Sequence, residues 1–244
     1  MATSDRRVII ARHGETTWSA EGKFTGHLDP PLSALGHRQA LALSRALRPE
    51  PLTTIVSSPL VRAVQTAREV AWAHGLPHTL DDRLVEEDLG PWQGLTRHEV
   101  SRARPEAFAR WSAGEVDPFD GREGLAAVAA RAAPAVRSAL ASVPPHQALL
   151  LVTHSNTALA LLSHLLREPL RESLLRPGLP PGGFWILTGG HGHWSIDGQE
   201  GARSGADLDE SRLGNHDRSG IGERAGHRAD QAVPDRADVG RSAR

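Results

Sequence analysis

The sequence predicts an α/β fold, a three-layer α/β/α sandwich with a largely parallel central sheet and a small helical flap. Three observations predict it. Short apolar runs, at Arg7 to Ala11, Thr53 to Val56 and Ala148 to Val152, alternate with longer segments of helical spacing. Near-continuous apolar strands of this kind are buried on both faces, as in a parallel sheet covered by helices. Each run also ends in polar, reactive side chains: Arg12-His13, Ser57-Ser58 leading to Arg62, and Thr153-His154. Ligands of open α/β sheets bind beyond the carboxyl ends of the strands, so these segments are expected to meet in one crevice.

The elements follow in order. After the first strand, Ser33 precedes a helix expected to place Leu35, Ala42, Leu43, Ala46 and Leu47 on one side. After the second strand, Ser58 is positioned to cap a helix with Pro59 in its first turn, running towards Gly75. Thr96 and Glu99 have the spacing of a capping box. Residues near 90–125, with Trp92, Phe108, Trp111 and Phe119, form the expected flap, whose aromatics suit core packing better than ligand contact. Leu125 to Leu140 is Ala-rich and helical, with Pro134 expected to kink or break it. A helix from about Asn156 to Arg167 follows the third strand. Phe184 to Leu187 with His193 to Ile196 suggests a closing hairpin.

Composition bounds the function. The 244 residues carry 28 Lys+Arg, 29 Asp+Glu and a net charge of −1. That balance argues against a nucleic-acid or polybasic membrane binder. Cysteine is absent, which removes disulfides, thiolate metal sites and cysteine nucleophiles. All the cations but Lys23 are arginine, a bias that a GC-rich genome explains most simply. From Gln199 onwards there is no aromatic and little apolar bulk, so residues 1–198 are expected to form the folded domain and 199–244 a polar, disordered tail. Val8 to Ala11 is too short for a secretory signal, and Ala148 to Leu166 is interrupted by Thr153-His154-Ser155-Asn156. A cytoplasmic location and no membrane partner are therefore expected. No motif sets an oligomeric state.

Arg12-His13-Gly14 carries chemistry in its residue types. An arginine can fork two phosphate oxygens, a neutral imidazole is a competent nucleophile, and glycine lets backbone approach an anion. Taken alone, a loop histidine is more often inert. The rest of the chain adds Arg12-His13-Gly14-Glu15-Thr16-Thr17-Trp18, Gly22, Phe24-Thr25-Gly26, Asp29 and Pro31-Leu32-Ser33; then Ser57-Ser58-Pro59-Leu60-Val61-Arg62-Ala63 and Gln65-Thr66-Ala67; then Leu84, Glu86, Leu89-Gly90, Trp92 and Gly94; and finally Val152-Thr153-His154. Together, over about residues 7–196, these four blocks resemble the histidine phosphatase superfamily, in its phosphoglycerate-mutase-like branch.

The resemblance implies a phosphomonoester hydrolase acting on a small phosphorylated metabolite, such as a sugar phosphate or phosphoglycerate, and needing no metal or other cofactor. It implies that His13 becomes phosphorylated and that Arg12, Arg62 and, if protonated, His154 bind the phosphate. Phosphoryl transfer rests largely on such neutralisation and positioning. Among Glu86, Glu87 and Asp88, the family pattern selects Glu86 as the acid that protonates the leaving oxygen and then activates water. A carboxyl with a raised pKa suits that task. Gly14, Ser19, Thr25, Gly26, Ser155 and Asn156 are the further expected substrate contacts, with Glu123 a weaker one.

The Trp18-Ser19, Gly22 and Thr25-Gly26 pattern is similar to that of sugar-phosphate and acid phosphatases. Phosphoglycerate mutases of the same family have longer insertions around the acid and basic residues that meet carboxylate. Here 23 residues separate Arg62 from Glu86 and the lone Lys23 is expected to lie elsewhere, which favours hydrolysis. A non-catalytic phospholigand-binding protein would be expected to lack one of the five central residues. His191 and His193 read as a hairpin turn rather than a metal pair, and Ser155 lacks the flanking glycines of a hydrolase nucleophile elbow.

Overall fold

The computed structural model describes residues 5–190 and 192–200. Six strands form one sheet: β1 (Arg6–Arg12), β2 (Leu52–Ser57), β3 (Thr79–Leu80), β4 (Ala148–Thr153), β5 (Phe184–Gly190) and β6 (His193–Glu200). Their order is β3-β2-β4-β1-β5-β6. β1, β4, β2 and β3 pair in parallel, whereas β5 and β6 add antiparallel at the β1 edge. The sheet is therefore largely parallel, with the expected hairpin closing it.

Helices cover both faces. Those described are α1 (Thr17–Ala20), α2 (Ala34–Ala46), α3 (Val61–His74), α4 (Arg97–Ala103), α5 (Pro105–Ser112), α6 (Leu125–Leu140), α7 (Ser155–Leu166) and α8 (Leu170–Ser173). Alternation along β1 divides the core. Val8 and Ile10 pack with Leu149, Leu151, α6 and α7, while Ile9 and Ala11 pack with Leu150, Val152, α2 and α3. Two faces of one buried strand thus serve two helical layers, the physical reason its sequence is apolar throughout.

Several local expectations change. The buried side of α2 is Gly36, Ala40, Leu43 and Ser44, with Leu47 after it, whereas Ala46 is exposed. Gly36 lies inside because α2 crowds the loop after β1. Ser58 does not cap α3, which begins two residues later than expected. Its first free amide, on Val61, instead donates to both carboxylate oxygens of Asp29, at 2.8 and 2.9 Å, from a loop 32 residues away. α6 continues through Pro134 without a break. The boundary expected after residue 198 falls inside β6, which pairs Glu200 with Phe184. The rest of the expected tail, 201–244, lies outside the described residues, as does His191.

The flap is built on Leu89, Trp92, Val100 and Phe119, with Phe24, Phe108 and Trp111 packed against them. Trp92 is fully buried, meets Phe24 edge-on with centroids 5.3 Å apart, and donates from its indole nitrogen to Asp120 at 2.6 Å. The capping box at Thr96 and Glu99 starts α4 as the spacing predicts. No described helix is long and apolar enough to cross a membrane.

Candidate active site

The loops after β1, β2 and β4 meet in one cavity of about 450 Å³. That volume lies within the range of about 300–1,000 Å³ usual for small-molecule sites. Of the expected site residues, Arg12, His13, Ser19, Thr25, Gly26, Arg62, Glu86, Ser155 and Asn156 line it. Gly14 and His154 do not, and sit behind the wall.

His13 is nearly buried. Its Nδ1 lies 2.6 Å from the Gly14 carbonyl oxygen, which assigns the ring proton to Nδ1 and leaves a lone pair on Nε2. Arg62 Nε donates to that Nε2 at 3.2 Å. Burial, then the charges of Arg62 and Arg12, push the His13 pKa well below its usual value, so the ring is neutral at pH 7. Both properties, a lone pair and a fixed ring, are what a nucleophile needs.

Arg62 is 1% exposed and its fork is fully directed. Nη1 donates to the Leu28 carbonyl and Nη2 to the Gly26 carbonyl, each at 2.8 Å, and Asp29 lies 3.5 Å from Nη1. Asp29 therefore both caps α3 and holds the arginine in that helix's first turn. Arg12 is anchored through Nη1 to the Leu179 carbonyl at 2.8 Å, while its Nε is buried without a partner. A buried donor left unpaired is costly, and an arriving oxyanion would relieve it.

Glu86 is buried against the start of α7. Oε1 accepts from the Thr157 amide at 3.2 Å and Oε2 from the Asn156 amide at 3.4 Å. Helix N-termini favour such an acceptor. Arg131 fixes the segment that carries Glu86, donating to the carbonyls of Arg83, Val85 and Glu86, each at 2.8 Å. Glu123 does not reach the cavity: it binds Arg131 at 2.7 and 2.9 Å and so belongs to this support.

The neighbouring Glu87 carboxyl is driven upward, to about 6, mainly by burial and against the pull of Arg122. Arg122 meets Glu87 at 2.6 Å and lies over Trp92, 4.7 Å from its ring centroid. Asn156 Nδ2 donates to the other Glu87 oxygen at 2.7 Å. The Asn156 side chain is thus committed to Glu87 while its backbone serves Glu86.

Packing bears on two expectations. A helix requires Gly14 to be small: a Cβ there would stand 2.4 Å from the Gly36 carbonyl oxygen of α2. Its amide donates to Thr66 Oγ1 at 3.1 Å. His154 is fully buried, bonded through Nε2 to Ser58 Oγ at 2.8 Å, with its ring 5.1 Å from that of His13. Burial, followed by Arg62, His13 and Arg12, pushes its pKa well below the usual value. That shift favours the neutral ring over a third positive group. Ser19 lines the cavity with its hydroxyl already engaged by the Thr16 backbone.

Lys23, Phe24, Arg97 and Trp111 also line the cavity. Lys23 therefore lies at the site, contrary to the expectation, because an antiparallel bridge sets it beside Thr96. No sequence pattern announces a bridge between positions 73 residues apart. Among the described residues no group of three or more His, Asp or Glu side chains converges as a metal site would.

Comparison with known proteins places the chain in a family. Residues 8–200 match the model of the histidine phosphatase superfamily, branch 1. A glucosyl-3-phosphoglycerate phosphatase of Mycobacterium tuberculosis is 35% identical over 197 residues, covering 78% of this chain and 87% of the relative. Phosphoserine phosphatase 1 of Hydrogenobacter thermophilus is 42% identical over 124 residues, 50% of this chain and 58% of the relative. A solved mycobacterial glucosyl-3-phosphoglycerate phosphatase complexed with VO3 superposes with a TM-score of 0.75 at 32% identity, covering 80% of this chain and 99% of that one. By sequence and by fold, this chain belongs to branch 1 of the histidine phosphatase superfamily.

Proposed function

We propose that this chain is a phosphomonoester hydrolase that acts on a small phosphorylated metabolite through a phosphohistidine at His13. The observation that carries this reading is the unprotonated His13 Nε2, held at the wall of a cavity shared with Arg12, Arg62 and Glu86. The relatives named as phosphatases support the reaction type.

In the first step His13 Nε2 attacks phosphorus, the bond from phosphorus to the leaving oxygen breaks, and Glu86 gives that oxygen its proton. Arg12 and Arg62 neutralise the equatorial oxygens. In the second step Glu86 takes a proton from water, the hydroxide oxygen bonds to phosphorus, and the phosphorus–Nε2 bond breaks, releasing inorganic phosphate. His154 takes no proton in the free protein. An incoming dianion would favour its protonated form, so its charge is supplied on binding. The proposed catalytic domain is residues 1–198 with the end of β6, and the proposed setting is the cytoplasm, where charged phosphorylated metabolites are retained.

Release of inorganic phosphate from 3-phosphoglycerate, glycerol phosphate and p-nitrophenyl phosphate tests the reaction. Rapid formation of 2-phosphoglycerate without phosphate release, in the presence of a bisphosphoglycerate primer, would replace hydrolase by mutase.

A further inference from the structure

Two consecutive carboxylates grip the start of α7 in different ways. The helix begins after His154, whose side chain makes no cap, so the amides of its first turn need an acceptor from elsewhere. Glu86 supplies it, with Oε1 accepting from the Thr157 amide and Oε2 from the Asn156 amide. Glu87 takes the Asn156 side chain instead, Oε2 accepting from Nδ2 at 2.7 Å. The direction of that amide is unambiguous, because a carboxylate accepts from nitrogen and repels the amide oxygen. Glu86 lines the cavity and Glu87 is wholly buried behind it, so Asn156 is bonded to the acid on one side and to the protein interior on the other.

Glu87 is itself firmly held. Arg122 Nη2 donates to its Oε1 at 2.6 Å, with the two side chains 4% and 0% exposed. The guanidinium lies 4.7 Å from the Trp92 ring centroid and 5.0 Å from that of Phe119, so the aromatics of the flap brace it. The backbones beside the pair are also joined: the Glu123 amide donates to the Asp88 carbonyl at 2.8 Å, and a Cβ on Gly90 would stand 2.3 Å from the Gly121 carbonyl oxygen. A buried ion pair adds little net stability, since desolvation offsets most of its attraction. Here Arg122 Nε and Nη1 are buried without a partner among the described residues, which lowers the net gain further. What the pair does supply is an acceptor for Asn156 that cannot move.

We propose that Asn156 is a positioning residue for Glu86, held in that role by the Glu87–Arg122 pair, and not a contact for substrate. Resting on the hydrolase reading, this deepens it. The flap, through Arg122 and Glu87, fixes the Asn156 side chain and with it the first turn of α7. The amides of that turn then hold the Glu86 carboxyl at the cavity wall, where it has to meet the leaving oxygen. Asn156 therefore serves proton transfer rather than binding, and an ester whose leaving group departs without a proton has little need of it.

The test compares glycerol 3-phosphate, an alkyl ester, with p-nitrophenyl phosphate, whose leaving group needs little protonation. Asn156→Ala in the full-length chain should lower kcat on the alkyl ester by about 10- to 100-fold, keep its KM within about 3-fold, and lower kcat on the aryl ester far less. In a Glu86→Gln protein the same substitution should lower the alkyl kcat little further, because a residue acting through the acid loses its effect with it. Glu87→Gln combined with Arg122→Met removes both buried charges, keeps an acceptor for Asn156 and should preserve the alkyl-to-aryl ratio. Glu87→Leu combined with Arg122→Met should lower that ratio by about 10-fold. A raised KM on both esters with kcat unchanged would make Asn156 a substrate contact, and equal kcat losses on both would make its role structural. Either result overturns the proposal, as does an unchanged ratio in Asn156→Ala or in the leucine variant. Should the wild type cleave neither ester, the hydrolase reading falls, and a crystal structure of Asn156→Ala decides the positioning. A Glu86 carboxyl displaced from the Thr157 amide is then expected, and one left in place contradicts it.

Discussion

Lowering the pH from 8 to 5.5 should cost the folded protein about 2 kcal/mol, and the two site histidines cause it. His13 and His154 are both held neutral by burial and by the arginines around them, with pKa values well below the ordinary 6.5. In the unfolded chain each regains that ordinary value and takes up a proton as the pH falls below it. Where the unfolded state binds more protons, stability falls with pH, so the loss begins near 6.5 and deepens on the acid side. At pH 5.5 each histidine contributes on the order of 1–2 kcal/mol of destabilisation. Glu87 acts in the opposite sense: its folded pKa is raised to about 6, so it gains a proton in the folded state first. That offsets about 1 kcal/mol at pH 5.5, leaving the net figure near 2. Urea unfolding at several pH values, followed by tryptophan fluorescence, measures the slope. His154→Asn should remove about 1–2 kcal/mol of the pH-dependent loss whatever it does to stability at pH 8. A slope in His154→Asn equal to that of the wild type would refute the buried neutral histidine.

Other outcomes follow from neighbouring contacts. Gly36→Ala would place a Cβ 2.0 Å from the Glu15 carbonyl oxygen, so it should destabilise by about 1–3 kcal/mol in denaturant unfolding and lower kcat by displacing the His13 loop. Arg122→Ala leaves Glu87 buried without its cation and should cost about 3–5 kcal/mol at pH 8, but less at pH 5, where Glu87 is neutral; equal losses at both would show that Glu87 does not titrate there. Glu86→Gln should lower kcat on alkyl phosphates by about 100-fold or more and on p-nitrophenyl phosphate far less, because an aryl leaving group needs little protonation. Equal losses on both would remove Glu86 as the acid.

Strands β1, β2 and β4 were legible because buried parallel strands write themselves as apolar runs, whereas the two-residue β3, exposed at both positions, left no such run. The cavity was legible for a related reason: the reactive residues follow those runs directly, so fold and site share one signal. What escaped depends on distant pairing. Asp29 caps α3 across 32 positions, where local spacing pointed to Ser58. Gly14 is small because it faces the Gly36 backbone and Gly36 because it faces the Glu15 backbone, which neither neighbourhood reveals. Lys23 reaches the cavity only through its bridge to Thr96, and Glu87 gains its raised pKa from burial beside Arg122. His154 was read as a potential cation from its residue type, and burial among arginines decided otherwise.

The central claim is the covalent intermediate on His13. Rapid acid-free quenching during turnover of p-nitrophenyl phosphate, followed by peptide mass analysis, measures it directly. One phosphoryl group on the peptide containing His13, stable in alkali and lost in acid, with neither label nor activity in His13→Ala, is the predicted result. Full phosphatase activity in His13→Ala, or a phosphoryl group on another residue, would contradict it.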